Sequence, residues 1–161
     1  MIDEIDAAIL KILQENARTS NAEIARQVDL AASAVFERIR KLEERGVIEG
    51  YSTRIHPKAI GLPLLAFIFV RADEKPGAEK TARRVADIPE VLEVHHVAGE
   101  DCFLVKVRAA DTDALHRLLS ERLGSIETIT STRTTIVLDT VKESSGLPIA
   151  APAEAPETVR V

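Results

Sequence analysis

The sequence predicts an α+β fold in which three helices precede a βαββαβ unit. From Val35 the apolar residues recur every three or four positions, which is the period of a helix with one buried face. Farther along, the run LLAFIFV at 64–70 follows Pro63 and is apolar throughout, as expected of a short strand buried on both faces. Helical and strand patterns then succeed one another to about Val141, which indicates a second domain built on a sheet.

The first two helices have separate start signals. Asp3 can cap a helix over residues 3–16. Ser20 and Glu23 have the spacing of a capping box, in which side chains and backbone bond reciprocally at the start of the second helix. That helix should end at the turn Asp29–Leu30. The residues expected to face the core are Ile5, Ile9, Ile12, Leu13, Ile24, Ala25 and Val28.

The third helix carries a cationic face in addition to its apolar stripe. We expect it to begin near Ala31 and to stop at Gly46, which supplies the left-handed conformation that commonly ends a helix. The cationic face lies about 100° around the helix from the apolar stripe and consists of Ala34, Arg38, Lys41 and Arg45. One interpretation is a solvated surface with ordinary i, i+4 ion pairs, Glu37 with Lys41 and Arg40 with Glu44. The other is a helix-turn-helix, whose second helix meets the major groove of DNA.

The second half has the order of elements of the ferredoxin-like fold. In sequence these are a strand at 64–70, a helix at about 77–87, strands at 91–99 and 102–109, a helix from Asp111 to near Gly124, and a strand at 134–141. In that fold both helices cover one face of an antiparallel sheet, yet the first strand here is apolar on both faces. We therefore expect another subunit to cover the second face.

Composition excludes several classes of protein. The 161 residues are 45% hydrophobic, which is enough for one large or two small cores. No apolar run reaches the roughly 18–20 residues of a membrane span, and the acidic start MIDEIDAA is unlike a secretory signal. A single cysteine fits the reducing cytoplasm. The net charge of −5 argues against non-specific coating of nucleic acid, so any DNA contact should come from local clustering of cations.

The sequence predicts no catalytic, metal or cofactor site. His95 and His96 are adjacent, so in a strand they point to opposite faces and cannot chelate one ion together. Cys102 has no general base at motif spacing and is better explained as a small core residue. Neither C-x-x-C nor a glycine-rich phosphate loop is present. Taken alone, the segment around Gly99 is an ordinary hairpin turn.

Longer segments carry a family resemblance. IDAAILKILQENAR at 5–18, SAVFERIRKLEERGVIEGY at 33–51 and HPKAIGL at 56–62 closely resemble the Lrp/AsnC family of bacterial and archaeal transcriptional regulators, and the match continues to about Val141. The resemblance implies a winged-type helix-turn-helix that binds double-stranded DNA. Its candidate contact residues are Ser33, Ala34, Glu37, Arg38, Lys41 and Arg45. The family usually has Ser where this chain has Ala31, and we expect Ser33 to replace it as the helix cap.

The same resemblance implies an effector pocket between dimers that binds a small amino acid or a related metabolite. Its candidate residues are Gly99, Glu100, Asp101, Ser131, Thr132 and Thr134. Backbone donors and hydroxyls would hold a carboxylate, while Glu100 or Asp101 would meet an ammonium group. Cys102 stands where the commoner form of this loop has an aspartate, which bears on the choice of ligand. Such proteins commonly build rings or discs, so we expect a homodimer that assembles to an octamer.

These inferences divide the chain into three segments. Residues 1–60 are the helix-turn-helix domain with an extended linker, 61–143 the ferredoxin-like domain for effector binding and dimerisation, and 144–161 a disordered Ala- and Pro-rich tail. Three functions compete: a DNA-binding regulator that senses an amino acid, an enzyme or carrier built on the sheet, and a ligand-independent architectural DNA-binding protein. The lack of a catalytic set disfavours the second of these.

Overall fold

The structure is a computed structural model that describes residues 2–74, 79–99 and 102–150. The chain divides into two compact units. The helical unit contains the chain up to Thr53 and the segment that begins at Glu143, and the sheet unit spans Arg54–Lys142. The boundary predicted near residue 60 and the separate tail predicted from residue 144 stay predictions.

Three helices form the helical unit, and a capping box starts the first of them. The helices are α1 (Glu4–Glu15), α2 (Asn21–Val28) and α3 (Ala32–Glu44). The Asp3 carboxylate accepts a hydrogen bond from the Asp6 backbone N–H at 2.7 Å, and the Asp6 carboxylate accepts one from the Asp3 N–H at 3.3 Å. Both bonds satisfy donors that a helix start leaves without an intrahelical partner.

The capping box predicted for α2 is only half formed. The Ser20 hydroxyl accepts a hydrogen bond from the Glu23 N–H at 3.2 Å, as predicted. The Glu23 carboxylate does not return to the Ser20 backbone, because it binds the side chains of Arg26 and Gln27 on the next turn. Hydrogen-bond donors three and four residues away on a helix are close enough to compete for it.

The structure confirms that α3 starts near Ala31 and ends before Gly46, but its N-cap differs from expectation. Ala31 is the N-cap residue and offers no side-chain hydrogen bond. The role predicted for Ser33 is wrong: Ser33 lies inside α3, because the Ala31 carbonyl already accepts hydrogen bonds from the N–H groups of Ala34 and Val35 at 3.0 and 3.1 Å. Gly46 has a φ of +67°, which confirms it as the left-handed residue after the helix.

The core of the helical unit confirms the predicted inward faces. Ile9, Ile24, Ala25 and Val35 are buried together. Apolar side chains of all three helices and of the turn between α2 and α3 surround them, and these are Ile5, Ile12, Leu13, Val28, Leu30 and Ile39. Within the described residues, no strand lies between α3 and the sheet, and the connection contains a 3₁₀ turn at Pro57–Ile60. Packing between the three helices therefore stabilises the helix-turn-helix.

The sheet unit has the predicted βαββαβ order. Its elements are β1 (Leu64–Ala72), α4 (Lys80–Ala86), β2 (Val91–His96), β3 (Phe103–Ala109), α5 (Thr112–Arg117), which continues as a π-helical turn over Leu118–Leu123, and β4 (Ile129–Ile136). The strands lie in the order β2-β3-β1-β4, and all neighbours are antiparallel. The fold class is therefore confirmed: a helical unit followed by a ferredoxin-like unit.

Within the described residues of the sheet unit, one face of β1 is packed more closely than the other. Ala66, Ile68 and Val70 are fully buried beneath the helices and pack with Val85 and Leu118. Phe67 and Phe69 point to the opposite face, which we call the outer face, and both are only half-buried. The guanidinium of Arg133 on β4 lies 4.1 Å from the centre of the Phe69 ring. The outer face is thus apolar at its centre.

The bounds predicted for the last strand, 134–141, are wrong. β4 pairs with β1 from Ile129 opposite Ala72 to Ile136 opposite Ala66. The next residue donates its N–H to the Leu65 carbonyl at 2.9 Å, close to the start of β1 at Leu64, because the two strands are antiparallel. Farther residues have no strand beside them, so Leu138 is 99% exposed despite the β-forming composition of this segment.

Part of the predicted tail contacts α1. Residues 144–150 contain no helix or strand. The Leu147 N–H donates to the Gln14 side-chain oxygen at 2.6 Å, and the Gln14 amide nitrogen donates back to the Leu147 carbonyl at 3.2 Å. Residues 151–161 lie outside the described residues.

Candidate DNA-binding surface and ligand site

The side of α3 that faces away from the core holds three of the six predicted DNA-contacting residues, Ser33, Glu37 and Lys41. Val35 and Leu42 are buried and fix the orientation of the helix. Because α3 repeats every 3.6 residues, the opposite side is exposed, and its members are Ser33, Phe36, Glu37, Arg40, Lys41 and Glu44. Arg45 is exposed at the end of the helix. Ala34 and Arg38 are half-buried at the edge of the core.

Arg38 is held by two carboxylates at the start of α1. One guanidinium nitrogen lies 2.7 Å from a carboxylate oxygen of Asp3 and 2.7 Å from one of Asp6. These hydrogen bonds, that to Asp3 first, raise the pKa of Arg38. The pKa of Asp3 is lowered, first by the Asp6 backbone N–H and then by Arg38. The side chain is 31% exposed, and it ties α3 to α1.

Arg40 is a functional candidate because it is exposed on α3, although its sequence spacing predicts only a surface ion pair with Glu44. Its guanidinium lies 2.8 Å from Glu37 and also pairs with Glu44. The hydrogen bond from Arg40 lowers the pKa of Glu37. The spacing of Ser33, Glu37, Arg40 and Glu44 places all four on the side opposite the apolar stripe, and that spacing was the available signal.

Aromatic side chains also line this part of the helical unit. Phe36 is 53% exposed on α3, and Tyr51 is 52% exposed beyond the helix. The Tyr51 hydroxyl donates to the Glu43 carboxylate at 2.9 Å. Desolvation, followed by that hydrogen bond, raises the pKa of Tyr51 to about 12. Phe36 breaks the apolar period of α3, which is the signal by which its exposure is predictable from sequence.

The predicted ligand residues on β4 lie on both faces of the sheet. Thr132 and Thr134 are opposite Val70 and Ile68 of β1, whose side chains point toward the helices. Ser131 is opposite Arg71, so its side chain points to the outer face. The structure thus places the two threonines on one face of the sheet and Ser131 on the other.

The predicted loop at Gly99 lies at the same end of the sheet as Thr132. It precedes β3, however, and β1 lies between β3 and β4. Gly99 has a φ of +143°, which only glycine adopts readily. Phe103 on β3 is opposite Val70, which is opposite Thr132 on β4, and neighbouring strands are about 4.8 Å apart. β1 therefore separates the hairpin from the threonines within one chain. Glu100 and Asp101, also predicted to bind ligand, lie outside the described residues.

A cavity of about 300 Å³ lies between α4 and the strands next to this hairpin. Its lining is Ala82, Ala86, Val94 and Phe103 with the polar residues Glu79, Arg83 and His96. The Arg83 guanidinium lies 2.8 Å from the Glu79 carboxylate, and both side chains are largely exposed. Cys102 is not part of the cavity lining, and its sulfur lies 3.4 Å from the backbone oxygen of Ala72. None of the described residues predicted to bind ligand lines the cavity.

Comparison with known proteins identifies the family. A model described as winged helix-turn-helix DNA-binding matches residues 2–49, and one described as Lrp/AsnC ligand binding domain matches residues 65–147, more than half of the chain. The chain belongs to the Lrp/AsnC family. It is a transcriptional regulator with a DNA-binding helix-turn-helix and a regulatory ligand-binding domain, which confirms the predicted family and function.

Relatives within the Lrp/AsnC family match along both units. The HTH-type transcriptional regulator FL11 of Pyrococcus horikoshii is 40% identical, over 92% of this chain and 97% of its own. A transcriptional regulator of Neisseria meningitidis, solved with L-methionine, is 30% identical over 92% of this chain and 97% of that one, with a TM-score of 0.87. The feast or famine regulatory protein of M. tuberculosis, also complexed with L-methionine, is 35% identical over 93% of this chain and 100% of that one, with a TM-score of 0.85.

Among the described residues, none of the helices has the length and apolar character that a membrane span requires.

Proposed function

We propose that this Lrp/AsnC protein is a cytoplasmic regulator that binds a sequence-specific DNA site as a homodimer and responds to a small amino acid or related metabolite. The observation that carries the proposal is that one chain combines an exposed, polar α3 with a ligand-binding domain similar to regulators solved with L-methionine. Ligand binding would set how dimers assemble, with an octamer as the full assembly.

The DNA contact is assigned to the exposed side of α3. In a helix-turn-helix the second helix enters the major groove, and cations at its edges hold phosphates. Lys41 and Arg45 are exposed toward the C-terminal end of α3 and suit phosphate contacts. Ser33 and Glu37 are exposed nearer the start of α3, where they would face the groove. Arg38 would act indirectly, because its ion pairs with Asp3 and Asp6 fix the angle between α3 and α1.

The ligand pocket is assigned to a contact between chains. The predicted loop at Gly99 and the hydroxyls of Thr132 and Thr134 lie on opposite sides of β1. A pocket that uses both therefore needs residues of a second chain, which supports the predicted position between dimers. A ligand in such a pocket favours whichever assembly completes it, and that differential affinity is what a switch requires.

The outer face of the sheet is the proposed dimer contact. Phe67 and Phe69 lie at its centre and are half-buried, while the other side of β1 is already filled. Covering such a surface with a second copy removes apolar area from water, which is the dominant favourable term in most protein association.

Two experiments test the proposal. In vitro selection from random DNA duplexes should return a preferred site with two related half-sites. A thermal-shift screen of the twenty amino acids should then find one or a few that raise the unfolding temperature, since a ligand at 100 times its Kd stabilises the folded state by about 2.7 kcal/mol. Selective DNA binding with no thermal shift and no change of assembly would instead support the architectural function. Failure to select any site would contradict the DNA-binding role of α3.

A further inference from the structure

We infer that Phe36 reads DNA sequence, through apolar contact between its ring and the 5-methyl group of a thymine in the major groove. The inference rests on the proposed function and adds to it the class of base that one side chain recognises. It assigns Phe36 a specificity-determining role.

The first observation is exposure. The chain has four phenylalanines, of which Phe103 is 4% exposed in the sheet unit and Phe67 and Phe69 are half-buried on the outer face. Phe36 is 53% exposed and does not join the core of the helical unit. An isolated exposed apolar residue is common on protein surfaces. Its place on the helix is what distinguishes this one.

The second observation is that place. Phe36 is the fifth residue of α3, and in a helix-turn-helix the N-terminal residues of the second helix contact base edges. Helical side chains point back toward the N-terminus, so this ring extends over the turn formed by Ala32 and Ser33. Both of those side chains are small. The phenyl ring is therefore the largest group at the end of α3 that would enter the groove.

The third observation is the chemistry around the ring. Arg40, one turn later on the same side, is held by Glu37 and Glu44, so these three charged side chains pair with one another within the helix. A phenyl ring has no conventional hydrogen-bond donor or acceptor and cannot use the polar pattern of the base edges. The thymine methyl is the apolar feature that the major groove presents, and apolar side chains contact it in other complexes.

The test compares thymine with uracil, which differ by this methyl group. A duplex obtained by in vitro selection with the wild-type chain is resynthesised with deoxyuridine at one thymine position at a time. Wild-type protein should bind one such duplex about fourfold more weakly, because burying one methyl-sized group contributes about 0.8 kcal/mol. Phe36→Ala should bind the thymine and uracil forms equally. Ile60→Ala, at a residue 57% exposed in the sheet unit, is the matched control and should keep the wild-type difference.

The outcomes separate the inference from the function on which it rests. Wild-type protein that selects a DNA site but is indifferent to uracil at every thymine overturns the inference and leaves the proposed function intact. An equal loss in wild type and Phe36→Ala also overturns it, because another residue then reads the methyl group. If no sequence is selected at all, the proposed function fails and the inference fails with it. Thermal unfolding of Phe36→Ala at the wild-type temperature shows that the variant is folded.

Discussion

Arg38 and Lys41 are three positions apart on α3, yet their surroundings differ. Arg38 bridges to two carboxylates of the α1 start, one of which, Asp6, is 7% exposed. Lys41 is exposed on the side of α3 that faces away from the core. A cation bound to a buried carboxylate contributes to stability, whereas an exposed one is available to a phosphate. Substitution of Arg38 should therefore affect mainly stability, and substitution of Lys41 should affect mainly DNA binding.

Arg38→Ala should lower the free energy of unfolding by about 1–3 kcal/mol, because Asp6 loses charge-assisted hydrogen bonds and remains buried. Lys41→Ala, the matched control, should leave stability unchanged and instead reduce the slope of log affinity against log salt by about one. Urea unfolding and DNA titrations at several salt concentrations measure both. Wild-type stability in Arg38→Ala together with selective loss of one base preference would show that Arg38 contacts DNA directly.

The pH dependence of stability should report on Asp3. Its pKa in the folded state is below the ordinary value of 3.8, first because of the Asp6 N–H and then because of Arg38. The carboxylate therefore contributes stability that is present above pH 3.8 and is lost as the pH falls through the lowered pKa. The stability difference between wild type and Asp3→Asn should accordingly be largest near neutral pH and shrink in acid. A difference that stays constant from pH 7 to pH 2 would rule out this contribution.

Among the elements, β4 has the largest consequence for ligand binding. Among the described strands it lies at the edge of the sheet, beside β1, and its successive side chains point to opposite faces. Thr132 and Thr134 share one face, while Ser131 lies on the outer face that we assign to the dimer. Within one chain, a single pocket can therefore use the threonines or the serine, but not both.

We expect Thr134→Ala to weaken binding of the amino acid found in the screen by about tenfold or more, since hydrogen bonds to charged groups contribute about 1.5–3 kcal/mol. Ser131→Ala removes a hydroxyl three residues away on the other face and should change the affinity less than twofold. Calorimetric titration measures both, with light scattering to confirm that dimers remain. The reverse result would place the pocket on the outer face.

At the scale of the whole molecule, the outer face of the sheet is the apolar surface that is only half-buried in a single chain. Phe69 is at its centre, beneath the Arg133 guanidinium. Phe69→Asp should give monomers or unfolded protein, because a carboxylate would be buried against the partner. Phe36→Asp, a control on the helical unit, should remain dimeric. Sedimentation at micromolar concentration distinguishes these outcomes, and a wild-type monomer under those conditions would contradict the proposed dimer.

The sequence by itself determined the features that depend on local periodicity and local backbone geometry. Ile9, Ile24 and Val35 were predictable as core because a helix repeats every 3.6 residues. Gly46 was predictable as a helix end because glycine tolerates positive φ. The order of strands and helices followed from the same patterns. Segments with a clear family resemblance added the helix-turn-helix and the class of function.

Only the tertiary structure decided how residues distant in sequence are paired. Arg38 meets a carboxylate 32 positions earlier, and no pattern within α3 indicates that contact. The end of β4 is set by where the antiparallel strand β1 begins, so composition misplaced the strand. The separation of Ser131 from Thr132 and Thr134 follows from the register between those same strands. In each case the deciding hydrogen bonds and ion pairs connect segments that the chain brings together only on folding, so neither composition nor periodicity contains them.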